Sequence, residues 1–236
     1  MSSRIADHRL LLVVSVVALL TAVILSGCSA GQTPERPLNT SLGTSSAVTS
    51  GAPVAGAISL DAASYSAEWR RAWEDNIVWT RLAVIAIASD SPASAEIQTR
   101  LLSNASDMQA LMAPYYGDKQ ATYFKDLMTG HIQTTLDLAK AVKASNAASA
   151  TAAEKSWYAN AALMSAFLSK ANPNIDQTAA VTMLNRHLVL TKGEIVDHMG
   201  KNWSADIGDY DALQSQTLEM SDIISNSIMR QFPTKF

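Results

Sequence analysis

His187 and Glu194 stand seven residues apart in LNRHLVLTKGE, inside an apolar pattern of helical period. Seven residues make two helical turns, so both side chains project from one face. That face also carries Ala180, Met183, Leu184, Leu190 and Thr191, while Asn185, Arg186 and Lys192 fall opposite. A second histidine, His131, sits the same way among Phe124, Leu127, Met128, Thr134, Thr135, Leu138 and Val142. Each histidine has a threonine four residues on, Thr135 and Thr191. Two imidazoles and a carboxylate on facing helices are the ingredients of a mononuclear Zn, Cu, Ni or Fe site. His131, His187 and Glu194 are therefore the candidate ligands, with one divalent transition metal as the candidate cofactor.

The same groups also suit two other uses. One is a hydrogen-bonded layer that fixes helix register, with threonine hydroxyls and asparagine amides completing the imidazoles. The other is a small organic ligand. Left unpaired inside a core, such groups cost about 1–3 kcal/mol each, so each needs a partner. His198 lies one turn past Glu194, near a helix end, and is expected to be partly exposed and not a ligand.

Most enzymatic chemistries lack their residues here. There is no Glu-x-x-His pair for a di-iron centre, no His-Glu-x-x-His, no cysteine pair and no glycine-rich phosphate loop. Within 60–236 no serine stands in a Gly-x-Ser-x-Gly elbow. Binding rather than catalysis is the expectation. The aromatic set Trp69, Trp73, Trp79, Tyr115, Tyr116, Trp157 and Tyr158 has the spacing of core residues. Asp206, Asp209 and Asp211, at the start of the last helix, suit the helix dipole and need no ligand.

The elements that must position these groups read as helices throughout. Glycine is scarce and Ala, Leu, Met, Gln, Lys and Glu abound, without alternating β-branched runs. Helices are expected at 65–89, 93–112, 118–144, 150–171, 176–200 and 204–230. Pro92, Pro114, Pro173 and Pro233 lie in the breaks, and Asp118, Asp176 and Ser204 are placed as N-caps. Long helices on short loops make an all-α antiparallel bundle of five long helices and one short one.

The helices also echo one another. WEDN (Trp73 to Asn76) precedes His131-x-x-x-Thr135, and WYAN (Trp157 to Asn160) precedes His187-x-x-x-Thr191. A diverged duplication of a helical hairpin would produce this order. Counting from each turn at about 1.5 Å per residue sets Asn76 level with His131, Asn160 level with His187, and Glu194 level with Tyr210. The expected polar layer is thus Asn76, His131, Asn160, His187, Glu194 and Tyr210, with Tyr210 as the partner of Glu194.

The N-terminal part of the chain reads differently. Arg4 and Arg9 precede an apolar run over 10–25, which suits a signal-peptide core better than a spanning helix of about twenty residues. It ends in Leu25-Ser26-Gly27-Cys28, which resembles the bacterial lipobox and holds the chain's one cysteine. The resemblance implies that residues 1–27 are a lipoprotein signal peptide and that Cys28 is acylated. The membrane then becomes a partner through that lipid. The domain would lie on the extracytoplasmic side of the cell membrane or outer membrane. Residues 28–59 form a Ser-, Thr-, Gly-, Ala- and Pro-rich tether without apolar period, and 60–236 the helical domain. Removing 1–27 takes away two basic residues and one acidic one, leaving a net charge of −4. With no basic stripe, nucleic acid is not an expected partner.

WEDNIVWTR, RLLSNASD, PYYGD, RHLVLTKGE, ADIGDYD and the closing QFP, taken in order, resemble a family of small bacterial helical proteins over nearly all of 69–233. The resemblance implies the helical fold and no established biochemical role. Enzyme labels attached to some members, acetylglutamate kinase or glycosyltransferase, fit no motif in this chain. A histidine often stands in such relatives where this chain has Asn76, which would give them three inward histidines against two here.

Overall fold

Asp61 opens the first helix by accepting a 2.8 Å hydrogen bond from the Ser64 amide, and the same device starts two later helices. Asn146 accepts from the Ser149 amide at 3.0 Å and Asp176 from the Ala179 amide at 2.8 Å. The computed structural model describes residues 61–236, so Cys28, the lipobox and the tether lie outside the described residues. The helices are α1 (Ala62–Ala88), α2 (Ser94–Lys143), α3 (Ala147–Ala171), α4 (Gln177–Met199) and α5 (Trp203–Gln231). A short 3-10 turn follows at Pro233–Lys235, and among the described residues there is no strand. None of these helices is long and apolar enough to cross a membrane.

α2 contains the break expected at PYYGD, but it is narrower than expected. Helical hydrogen bonding runs on through Pro114, and only Gly117 leaves the helical region, at φ 77 and ψ 162. A side chain is disfavoured at that φ, which explains glycine there. The chain reverses at this residue. Gln109 in the first arm (94–116) donates to Thr122 in the second (118–143). Lys143, at the end of the second arm, reaches back to the Ile87 carbonyl and Asp90, where α1 ends. Asp118 simply follows the reversal, and Ser204 lies inside the first turn of α5, whose N-cap position is Asn202.

α1, α2 and α4 end alike. Asp90, Ser145 and Lys201 take positive φ of 52, 52 and 62. The amide after each bonds a carbonyl five residues back, Ala86, Ala141 and Asp197. These closures tie up carbonyls that the helix end would leave unpaired.

The helices form a closed ring in chain order, with α5 packed back against α1 and weaker contacts of α4 with α1 and α2 across the middle. At the end where the chain enters, PYYGD and QFP lock together. Tyr115 stacks on Phe236 at 5.0 Å, and the Tyr116 hydroxyl donates to Gln231 while accepting from Asn172. Trp69, Trp73 and Trp157 are wholly buried, as core spacing implied, and Trp79 lies half-buried beneath Arg100 at 5.1 Å. The opposite end, about 40 Å away along α1, holds the α1–α2, α2–α3 and α4–α5 turns.

Candidate functional site

His131 on α2 and His187 on α4 are buried with ring centroids 5.7 Å apart, in one interior space. Their partners are set by helices other than those that turn counting suggested. The Trp157 indole on α3 donates to His131 Nδ1 at 3.1 Å, while Trp73 on α1 meets the His187 ring edge-on at 5.9 Å. Each tryptophan of the sequence echo thus contacts the histidine of the other hairpin.

The hydrogen bonds assign the tautomers. An indole N–H can only donate, so His131 Nδ1 is an acceptor and its hydrogen sits on Nε2. His187 Nδ1 lies 3.2 Å from Gln216 Oε1, and the Gln216 amide nitrogen is spent on the Met183 carbonyl. His187 therefore carries its hydrogen on Nδ1 and presents a bare Nε2. Burial holds both rings neutral. The His131 pKa is pushed down to about 3 by burial and the neighbouring His187, and that of His187 to about 4 by burial against the pull of Gln216.

The asparagines and threonines do not complete the imidazoles, contrary to the layer expected. Thr135 and Thr191 donate to the backbone carbonyls of His131 and His187, one helical turn back. Asn76 is buried but donates to Asn104, which donates to the Ala72 carbonyl. Asn160 is only half-buried and donates to the Leu127 carbonyl, over Gly130, where a Cβ would come within 3.1 Å of its amide. Both asparagines staple neighbouring helices and neither bonds a histidine.

Glu194 belongs to a second cluster, whose cation comes from α1. Arg81 Nη1 donates to Glu194 Oε1 at 2.8 Å and to Asp206 Oδ1 at 2.9 Å, and Nη2 donates to Asp206 Oδ2 at 3.1 Å. His198 Nδ1 meets Asp206 Oδ2 at 3.1 Å, so this half-buried histidine is bonded to a carboxylate. Tyr210 is not the hydrogen-bond partner expected for Glu194. Its half-buried ring lies under the Arg81 guanidinium at 4.7 Å, so Tyr210 reaches the expected level but contacts the cation instead of the carboxylate. Asp206 is buried in this cluster rather than merely facing the helix dipole.

Burial pushes the Glu194 carboxyl up to about 7 in spite of the Arg81 bond, and its Oε2 is buried without a partner. Burial also acts on Asp206, but hydrogen bonds from Arg81 and His198 outweigh it and lower its pKa. Asp209, raised by burial and the charge of Asp197, closes over Gly193, where any Cβ would lie 2.3 Å from its carboxylate.

His131, His187 and Glu194 consequently do not form the three-ligand set expected of a metal centre. Glu194 is taken by Arg81, and His131 presents Nε2–H, which has no lone pair to give. Among the described residues no group of three or more His, Cys, Asp or Glu side chains is placed to hold a metal ion.

Arg81, Asn104 and Gln216 were missed by sequence reasoning, though each left a trace. Arg81 continues the ridge of Trp73 and Ile77 at a spacing of four, and a core-facing carboxylate requires a cation. Asn104 and Gln216 sit at core spacing between apolar residues, Leu101 and Met108 for one, Leu213 and Met220 for the other. No protein-family model, curated protein or solved structure matches the chain.

Proposed function

We propose that the protein is a lipid-anchored bacterial lipoprotein whose helical domain binds a partner in the cell envelope through its surface, without catalysis. The LSGC sequence and its single cysteine support the anchor. In the core, the Nδ1 atoms of both histidines and one oxygen of Glu194 are committed to protein partners, which favours the surface over a metal centre as the place of binding.

The observation that carries this reading is an exposed apolar cluster at the end of the bundle remote from chain entry. Leu82 (39% exposed) and Ile85 (38%) on α1 stand beside Trp203 (53%) and Ile207 (56%) on α5. Ile85 and Trp203 also border a surface depression of about 450 Å³ with Val142, His198 and Met199. Large apolar side chains grouped in this way cost solubility and mark binding surfaces.

The test is site-specific photo-crosslinking of the full-length, membrane-held protein in its native cell. A photoreactive residue at Ile207 should give a discrete adduct that Trp203→Asp abolishes, while one at exposed Lys155 on α3 should give none. Equal labelling from both positions would contradict the reading.

A further inference from the structure

The tautomers leave four polar groups on four helices without a described partner. His131 Nε2–H and the Trp73 indole N–H are donors, and His187 Nε2 is an acceptor. The fourth is the Thr217 hydroxyl on α5, buried and unbonded. The Ser221 hydroxyl, one turn along α5, is likewise buried and unbonded. Thr135, Ser165, Thr191 and Ser215 all turn back onto the carbonyl four residues before, and Thr217 does not. A buried hydroxyl that forgoes that bond is aimed at something else.

These groups converge. Trp73 touches the His187 ring, which lies beside His131. Thr217 follows Gln216, the partner of His187. Thr217 also lies at the level of Trp73 across the α1–α5 seam, because that seam runs antiparallel through the Arg70–Asp222 bond and the Arg81–Tyr210 contact. Two donors and two acceptors are the full complement of one water molecule. The two histidine residues keep 4% and 2% of their surface accessible. Buried waters typically make about three such bonds to groups otherwise unsatisfied.

We infer that the centre of the bundle is a binding site for a single water molecule, accepting from His131 Nε2–H and Trp73 Nε1–H and donating to His187 Nε2 and Thr217 Oγ1. It joins the α1–α2 pair to the α4–α5 pair, which no single turn connects. The site selects a neutral ligand with both donor and acceptor capacity. A metal cation would find only one lone pair among the two imidazoles.

A high-resolution crystal structure of the protein tests this directly. The expected result is one density peak at hydrogen-bond distance from all four atoms. No peak, a direct His131–His187 bond, or a peak at about 2 Å from nitrogen, the distance of a metal, would overturn it. In solution, the Trp73 indole proton should show a cross-relaxation peak with water. Thr217→Val should weaken that peak, and Ser221→Ala, one turn along, should leave it unchanged. Survival of the peak at full intensity in Thr217→Val would also overturn the inference.

Discussion

Arg81 of α1 and Glu194 of α4 share a 2.8 Å hydrogen bond although 113 residues separate them in the chain. The bond answers the problem of a carboxylate on a core-facing position, and it does so incompletely. One guanidinium serves both Glu194 and Asp206, and one Glu194 oxygen stays unpaired. Removing Arg81 would leave two buried carboxylates without a cation. Arg81→Met should therefore destabilise the domain by about 3 kcal/mol. Adding Glu194→Gln should restore part of that loss, and a double variant no more stable than Arg81→Met in urea unfolding would contradict the coupling.

The pH dependence of stability separates the two clusters by sign. Glu194 is raised from 4.5 to about 7 on folding, so its contribution is present below about pH 4.5 and lost as pH rises toward 7. His131 and His187 are lowered from 6.5, to about 3 and about 4, so theirs is full above pH 6.5 and lost as pH falls. Between pH 4.5 and 6.5 two imidazoles oppose one carboxylate, and stability should rise with pH. Glu194→Gln removes the opposing group and should steepen that rise by about 1 kcal/mol per pH unit. Urea unfolding across this window measures both slopes, and parallel slopes would refute the assignment of Glu194.

Asn104 is a staple rather than a site residue. Its side chain accepts from Asn76 and donates to the Ala72 carbonyl, both buried. Asn104→Leu should cost about 1–2 kcal/mol by leaving the buried Asn76 amide without its acceptor, while the Ala72 carbonyl keeps its helical bond. Thermal unfolding checks this, and a neutral effect would mean that the pair contributes nothing to α1–α2 packing.

The proposed anchor predicts that Cys28→Ser moves the protein from the membrane fraction to the soluble one, or leaves an unprocessed precursor. A variant that is processed and still wholly membrane-bound would contradict it.

The helices, their breaks and the inward histidines were legible because each follows from local pattern. Apolar period sets the buried face, proline and glycine set the breaks, and Asp176 caps α4 as its position suggests. Partners across the bundle were not legible in the same way. Turn counting relates helices adjacent in sequence, so it set Asn76 beside His131 and Asn160 beside His187. The ring closes α5 onto α1 and brings Trp73 to His187 instead, a contact that no turn length encodes. Arg81 was overlooked for a related reason. A long cationic side chain on a core ridge looks like a boundary residue until the carboxylates it reaches, on α4 and α5, are known.

On the proposed reading the histidine pair is a neutral structural layer and binding takes place at the surface. Nitrogen-15 NMR of the two imidazoles at pH 7, with and without added Zn²⁺ or Cu²⁺, tests it most directly. The expected result is His131 protonated on Nε2, His187 protonated on Nδ1, and both patterns unchanged by metal. Two Nδ1–H imidazoles whose Nε2 resonances shift together on adding stoichiometric metal would contradict it.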